Sequence, residues 1–183
     1  DKWVDLPKYT PEEDIRKTLK ILNRQYIQYT KIQTMQKNNL ISLLDTVFPN
    51  AYSLFSSPQR KSDGHEKWID FVSKFYHADC FAKLSLSAFK LKYQSWCRKN
   101  NYNYSEIKAE EIHTYTRKQV SSLPMTDSVK LLIEQSVNQL NSILETLAAI
   151  RSEMDRLSSQ LPEYNNVMDF YGVGYCSRLI AYG

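Results

Sequence analysis

Apolar side chains recur along the first part of the chain at Ile15, Leu19, Leu22, Tyr26 and Tyr29. Alternating steps of four and three residues draw one continuous seam along an α-helix. The same frame continues through Gln33 and Gln36 to Leu40, Leu43 and Val47, and Pro49 ends it. Thr10-Pro11-Glu12-Glu13-Asp14 supplies a start signal. Thr10 can cap, Pro11 suits a first turn, and three carboxylates sit at the positive end of the helix dipole. A helix of about 35 residues is roughly 50 Å long. A small core cannot bury that length, so the seam demands a partner helix.

A second seam meets the demand. Ile133, Val137, Leu140, Leu144, Leu147, Ile150, Met154, Leu157 and Leu161 predict a helix from about Thr126 to Leu161. Its consecutive three-residue steps at 144, 147 and 150 form a stammer, which overwinds a coiled coil locally. Two such helices predict an antiparallel hairpin or a coiled-coil dimer.

Glycine narrows the fold class further. There are four in 183 residues, and Gly172, Gly174 and Gly183 lie in the last twelve. So few glycines leave few tight turns. Nothing alternates with period two for long enough to make a sheet, and there is no repeat or low-complexity tract. The expected fold is all-α, with residues 1–9 an extended lead-in and residues 50–63 a loop. Shorter helices follow from Gly64 to Val120. Trp68, Phe71, Val72, Phe75 and Tyr76 share one face, and Phe89, Tyr93, Trp96 and Cys97 another. Ser105 begins a further helical pattern through Ile107, Glu111 and Ile112, and Leu123-Pro124 breaks the chain. Pro162-Glu163 opens a short helix, Gly172-Val173-Gly174 turns, and Ser177 starts another. The expected organisation is a helical coiled-coil or linker region over 1–161 and a distinct C-terminal region from 162 to 183.

Several classes drop out. No stretch approaches the roughly 18 apolar residues of a membrane span, so no membrane partner is expected. The first residues lack an apolar signal core, and Cys80, Cys97 and Cys176 are too few for a disulfide framework. A reducing, cytoplasmic setting follows as the expectation.

Charge is the functional signal. The net charge is +4, but its placement says more. From Ile15 to Leu44 the basic residues are Arg16, Lys17, Lys20, Arg24, Lys31 and Lys37, with no acidic residue among them. An ordinary solvated helix mixes Glu with Lys to gain i,i+4 pairs. Omitting the acids forfeits those pairs and suits a phosphate-bearing partner; a solvated coiled-coil face is the plainer reading. A second stretch, residues 83–105, carries Lys83, Lys90, Lys92, Arg98 and Lys99 with no acid, interleaved with Tyr93, Trp96, Tyr102 and Tyr104. Cations beside aromatic rings can grip single strands; equally, Tyr93 and Trp96 can be core. In the tail, a helix, the Gly172-Val173-Gly174 turn and a second helix form a helix-hairpin-helix pattern. Its glycines would let the backbone approach a phosphate, with Ser177 and Arg178 in the next first turn; a tight helix corner is the alternative.

Catalytic patterns are missing. His77-x-x-Cys80 with Cys97 and His113 lacks paired Cys-x-x-Cys zinc spacing, so buried thiols and a surface histidine are expected. No Gly-x-Ser-x-Gly occurs. Asp14, Asp45, Asp63 and Asp70 lie on different segments and would hold Mg2+ only if brought together.

An ordered set of short motifs resembles a known family. Lys2-Trp3-Val4-Asp5-Leu6-Pro7, Asp14-Ile15-Arg16, Arg24-Gln25-Tyr26, Lys37-Asn38-Asn39-Leu40-Ile41, Leu44-Asp45 and Phe48-Pro49 resemble the middle of DEDD-type transposases of the insertion-sequence-110 and Piv invertase group. Leu161-Pro162-Glu163-Tyr164, Gly172-Val173-Gly174 and Leu179-Ile180-Ala181 resemble the start of that family's C-terminal transposase region. Where the family reads Ala-Glu-Ile-Gly-Asp, this chain has Ala181-Tyr182-Gly183. The resemblance implies a fragment whose catalytic carboxylates, their Mg2+ and a strand-exchange serine lie outside this sequence. No catalytic residue and no cofactor is therefore assigned within it.

The combined expectation is a segment that assembles subunits as a dimer or higher oligomer and binds DNA, with guide RNA as a further partner. Its contacts would be Arg16, Lys20, Arg24, Lys31, Lys90, Arg98, Lys99, Gly172, Val173, Gly174 and Arg178. Two rivals stand beside it: a coiled-coil scaffold that binds no nucleic acid, and a metalloenzyme using His77 and Cys80.

Overall fold

The computed structural model describes residues 14–60, 62–162 and 164. Among these there are six α-helices. In chain order, α1 spans Asp14–Val47, a 3-10 turn spans Ala51–Leu54, and α2 spans Lys67–Lys74. Then come α3 Asp79–Ala82, α4 Leu86–Lys99, α5 Glu106–Thr116 and α6 Asp127–Ser158. Among the described residues there is no strand, and the fold is all-α. The expected lead-in, the Thr10 cap and the tail turn at Gly172 lie outside the described residues.

Local chemistry fixes the helix starts. The Ser85 hydroxyl accepts from Ala88 N–H, Ser105 from Lys108 N–H and Thr126 from Val129 N–H, each at 3.3 Å. Each satisfies a donor that the first turn of a helix leaves without an intrahelical partner. At the far end of α1 the carbonyls are met by distant segments. Thr46 O accepts from the N–H groups of Ser122 and Leu123 at 2.8 and 3.1 Å. Val47 O accepts the Ser121 hydroxyl at 2.8 Å.

The chain forms two compact units. One holds α1 up to Lys31 and α6 from Thr146. Its core is Leu19, Met154, Leu157 and Leu161, flanked by half-buried Ile15, Leu22, Tyr26 and Ile150. These are the seam positions of the sequence, closing on one another within one chain.

The other unit spans Ile32–Glu145. Leu40, Leu44 and Val47 of α1 and Ile133, Val137 and Leu140 of α6 join the buried faces of α2, α4 and α5 in one core. Phe71 stands at its centre. Its ring lies 5.1 Å from Phe55, 4.8 Å from Phe75 and 5.5 Å from Trp96, centroid to centroid. Along α1, Gln33 and Gln36 occupy seam positions and are half-buried, and the Gln36 carbonyl oxygen has no hydrogen-bond partner.

The described residues of 50–63 carry no α-helix, but the expected loop contains a 3-10 turn at Ala51–Leu54. Ala51, Leu54 and Phe55 are buried, because the 3-10 turn carries them under the aromatic core. Asn50 takes a left-handed conformation with φ 53° to make that turn, and its N–H donates to Asp45 Oδ1 at 3.1 Å. Asparagine accepts this conformation more readily than most residues.

Two substitutions test this packing. Phe71→Ala should destabilise the chain by about 3–5 kcal/mol, read from the urea midpoint. Gly64 has φ +74°, while an added Cβ would meet only Leu144 Cδ2 at 3.5 Å. Gly64→Ala should therefore cost about 1–2 kcal/mol through backbone strain, and trimming Leu144 should not relieve it.

Candidate nucleic-acid interface

Burial of one face of α1 decides what the other face presents. With Leu19, Leu22 and Tyr26 turned to the core, a helical turn of about 100° per residue sets Lys17, Lys20, Arg24 and Lys31 within a strip about 60° wide on the opposite side. All four are exposed. Arg16 lies half-buried at the edge of the strip. Lys17 sits 3.6 Å from Asp14, a solvent-exposed pair one turn apart. Beyond Asp14 the helix carries no carboxylate until Asp45.

Lys37 differs from these. Its ammonium donates to Glu66 Oε1, which also accepts from Gln59 Nε2 at 2.9 Å, while Glu66 Oε2 accepts Trp68 Nε1 at 2.7 Å. Burial opposes ionisation of Glu66, but these donors outweigh it and hold the carboxyl below its ordinary value. Lys37 thus serves the packing of residues 59–68.

The second basic stretch is divided by its neighbours. Lys90 donates to Glu106 at 2.7 Å and to Glu110 at 2.6 Å, both on α5. The Glu106 and Glu110 hydrogen bonds raise the Lys90 ammonium's pKa. Arg98 and Lys99 are exposed at the end of α4, and Lys99 lines a cavity with Lys92. The interleaved aromatics are core. Tyr93 and Trp96 are buried and stacked on each other at 5.8 Å, and Tyr102 stacks on Trp96 at 5.4 Å. Their helical spacing puts Tyr93 and Trp96 on the inward face of α4, so they offer no stacking platform to a strand.

A polar network around Arg60 escaped the sequence reading. Arg60 forms two bonds to Asp63, at 2.9 and 2.6 Å, and one to Asn100 O at 2.8 Å. Its guanidinium lies 4.9 Å from the Tyr102 ring centroid. Tyr102 OH donates to Asp70 Oδ2 at 2.6 Å, and His65 Nδ1 lies 3.0 Å from Asp70 Oδ1. The Arg60 hydrogen bonds hold the Asp63 carboxyl below its ordinary range. Residues so far apart leave no spacing signal to find. Lys74, a third wall of the Lys92–Lys99 cavity, was missed for the same reason.

The two histidines of the imagined zinc site are not at the surface. His77 and His113 are buried. His77 Nδ1 accepts from Asp79 N–H at 3.0 Å, so Nε2 carries the hydrogen and donates to Leu123 O at 2.9 Å. His113 Nε2 lies 2.9 Å from Leu84 O. Each imidazole serves a backbone group that burial would otherwise strand. Burial pushes the Cys80 and Cys97 thiols up. Among the described residues no group of three or more His, Cys, Asp or Glu is placed to hold a metal ion. Asp63 and Asp70 come together, but around Arg60. Among the described residues no helix is long and apolar enough to cross a membrane. Gly172, Val173, Gly174 and Arg178 lie outside the described residues.

Glu66 gives a pH prediction. A carboxyl held below its ordinary value of 4.5 stabilises the fold above that value, and the contribution fades as pH falls through the folded one. Glu66→Gln should lower stability by about 1–3 kcal/mol at neutral pH, and urea midpoints should converge with those of the unaltered chain in acid.

In comparison with known proteins, no family model, no curated protein and no solved structure matches the chain.

Proposed function

We propose that the chain is the nucleic-acid-binding and assembly segment of a DEDD-type DNA transposase, gripping phosphates through the solvent face of α1. The observation that carries the binding reading is the exposed strip of Lys17, Lys20, Arg24 and Lys31, on a helix with no acidic residue from 15 to 44. From Lys17 to Lys31 the strip runs about 21 Å along the helix, enough to follow several phosphates of one strand. Binding of this kind releases counterions and is blind to base sequence. Exposed Gln28 adds an amide donor beside the cations. The transposase reading rests on the ordered motifs of the sequence. In it, α1 and α6, whose seams close on one another within the chain, form the coiled-coil-like segment through which subunits assemble. The Gly172-Val173-Gly174 turn with Arg178 contributes backbone contacts to phosphate. Cleavage and its Mg2+ belong to residues outside this sequence, and no catalytic step is assigned here.

A second reading, an assembly module that binds no nucleic acid, draws on Ile21 and Ile27. They stand 61 % and 46 % exposed on either side of the basic strip, where a protein partner would cover them.

Binding of the chain to labelled duplex DNA and structured RNA across a salt series separates the two, with mass measured in parallel. Affinity should fall steeply with salt. The triple charge reversal Lys20→Glu, Arg24→Glu, Lys31→Glu should reduce the slope of log K against log salt by about 0.9 for each duplex phosphate it leaves without a cation. An oligomer that binds neither probe at low salt would establish the assembly module instead.

A further inference from the structure

We propose that the cavity walled by α2, α3 and α4 binds a nucleoside phosphate, its phosphate held by Lys92 and Lys99 and its base laid against Tyr76. The site is separate from the face of α1 and does not depend on the reading given to that face. The cavity encloses about 520 Å³, within the range of roughly 300–1,000 Å³ typical of small-ligand sites.

Its walls divide into a cationic rim and an apolar floor. Lys92 and Lys99 stand two turns apart on one stripe of α4, roughly 10 Å along the helix, and Lys74 closes the rim from the end of α2. Among the described residues no carboxylate pairs with any of the three, whereas Lys90 on the same helix is saturated by Glu106 and Glu110. Asp79 is the one carboxylate on the wall, and Asp127 and Glu134 lie close enough to act on Tyr76, so the positive charge is concentrated at the Lys92 and Lys99 side of the cavity. The floor is Phe75, Trp96, Cys80 and Met125, with the Cys80 and Met125 sulfurs 4.0 Å apart. Trp96 is stacked against Tyr93 and Tyr102, which leaves half-buried Tyr76 as the ring available to a base.

A polarizable floor beneath a lysine rim selects a flat ring that carries several negative charges. A bare anion would leave the floor uncovered, and a neutral ring would leave the lysines unmet. A free nucleotide and the terminal nucleotide of a strand share this chemistry.

The test titrates the 183-residue chain with AMP, ATP, a 5′-phosphorylated single-stranded trinucleotide and inorganic pyrophosphate, followed by calorimetry. Saturable binding of AMP or ATP assigns a free nucleotide, and saturable binding of the trinucleotide alone assigns a strand end. In either case Lys92→Ala with Lys99→Ala should weaken binding at least about tenfold. Tyr76→Leu should weaken the nucleotide but leave pyrophosphate unchanged. The α1 charge reversals should alter neither, which separates this site from the face of α1. Circular dichroism of each variant checks that it folds. The proposal is overturned by no saturable binding of any probe up to about 1 mM, by pyrophosphate binding as tightly as ATP, or by indifference to the Lys92 and Lys99 substitutions.

Discussion

The rotational setting of α1 governs how its cations are presented. A helix with one apolar seam has one way to turn: the seam goes inward, and whatever lies opposite is given to water. Leu19 and Leu40 are buried at opposite ends of the seam. Once they are placed, the exposure of Lys20, Arg24 and Lys31 is a matter of angle. The cations are therefore held out by the packing of other residues. Lys20, Arg24 and Lys31 are themselves exposed, so circular dichroism of the charge-reversed chain separates an effect on binding from one on folding.

The unit from Ile32 to Glu145 treats its cations in contrasting ways. Lys90 and Lys37 are absorbed into carboxylate pairs that tie one segment to another. Lys92 and Lys99, on the same helix as Lys90, look into a cavity instead. Net charge and local composition treat these lysines alike. Only tertiary placement separates a cation that holds the protein together from one that can meet a ligand.

The same distinction marks what could be read in the sequence. The long helices and the inward residues of α2 and α4 were legible because periodicity encodes a face directly. Ile133, Val137 and Leu140 are buried as their spacing required. Tyr93 and Trp96 were ambiguous because an aromatic at helical spacing suits a core or a stacking surface, and only the neighbours Phe71 and Tyr102 decide. His77 read as a surface residue because its partners, the Asp79 amide and the Leu123 carbonyl, are backbone groups that composition cannot announce. Arg60 with Asp70 and Tyr102 was invisible because the fold, and not the local sequence, brings them together.

Gln33 and Gln36 carry a consequence for partner choice. They interrupt the apolar seam of α1, and the buried Gln36 carbonyl oxygen stays without a partner. Polar groups at seam positions penalise every alignment that would press them against a wholly aliphatic stretch. A sliding error by one heptad would set these amides against a different layer of side chains. An α1 with amides at 33 and 36 therefore disfavours any register that sets them against a wholly aliphatic layer.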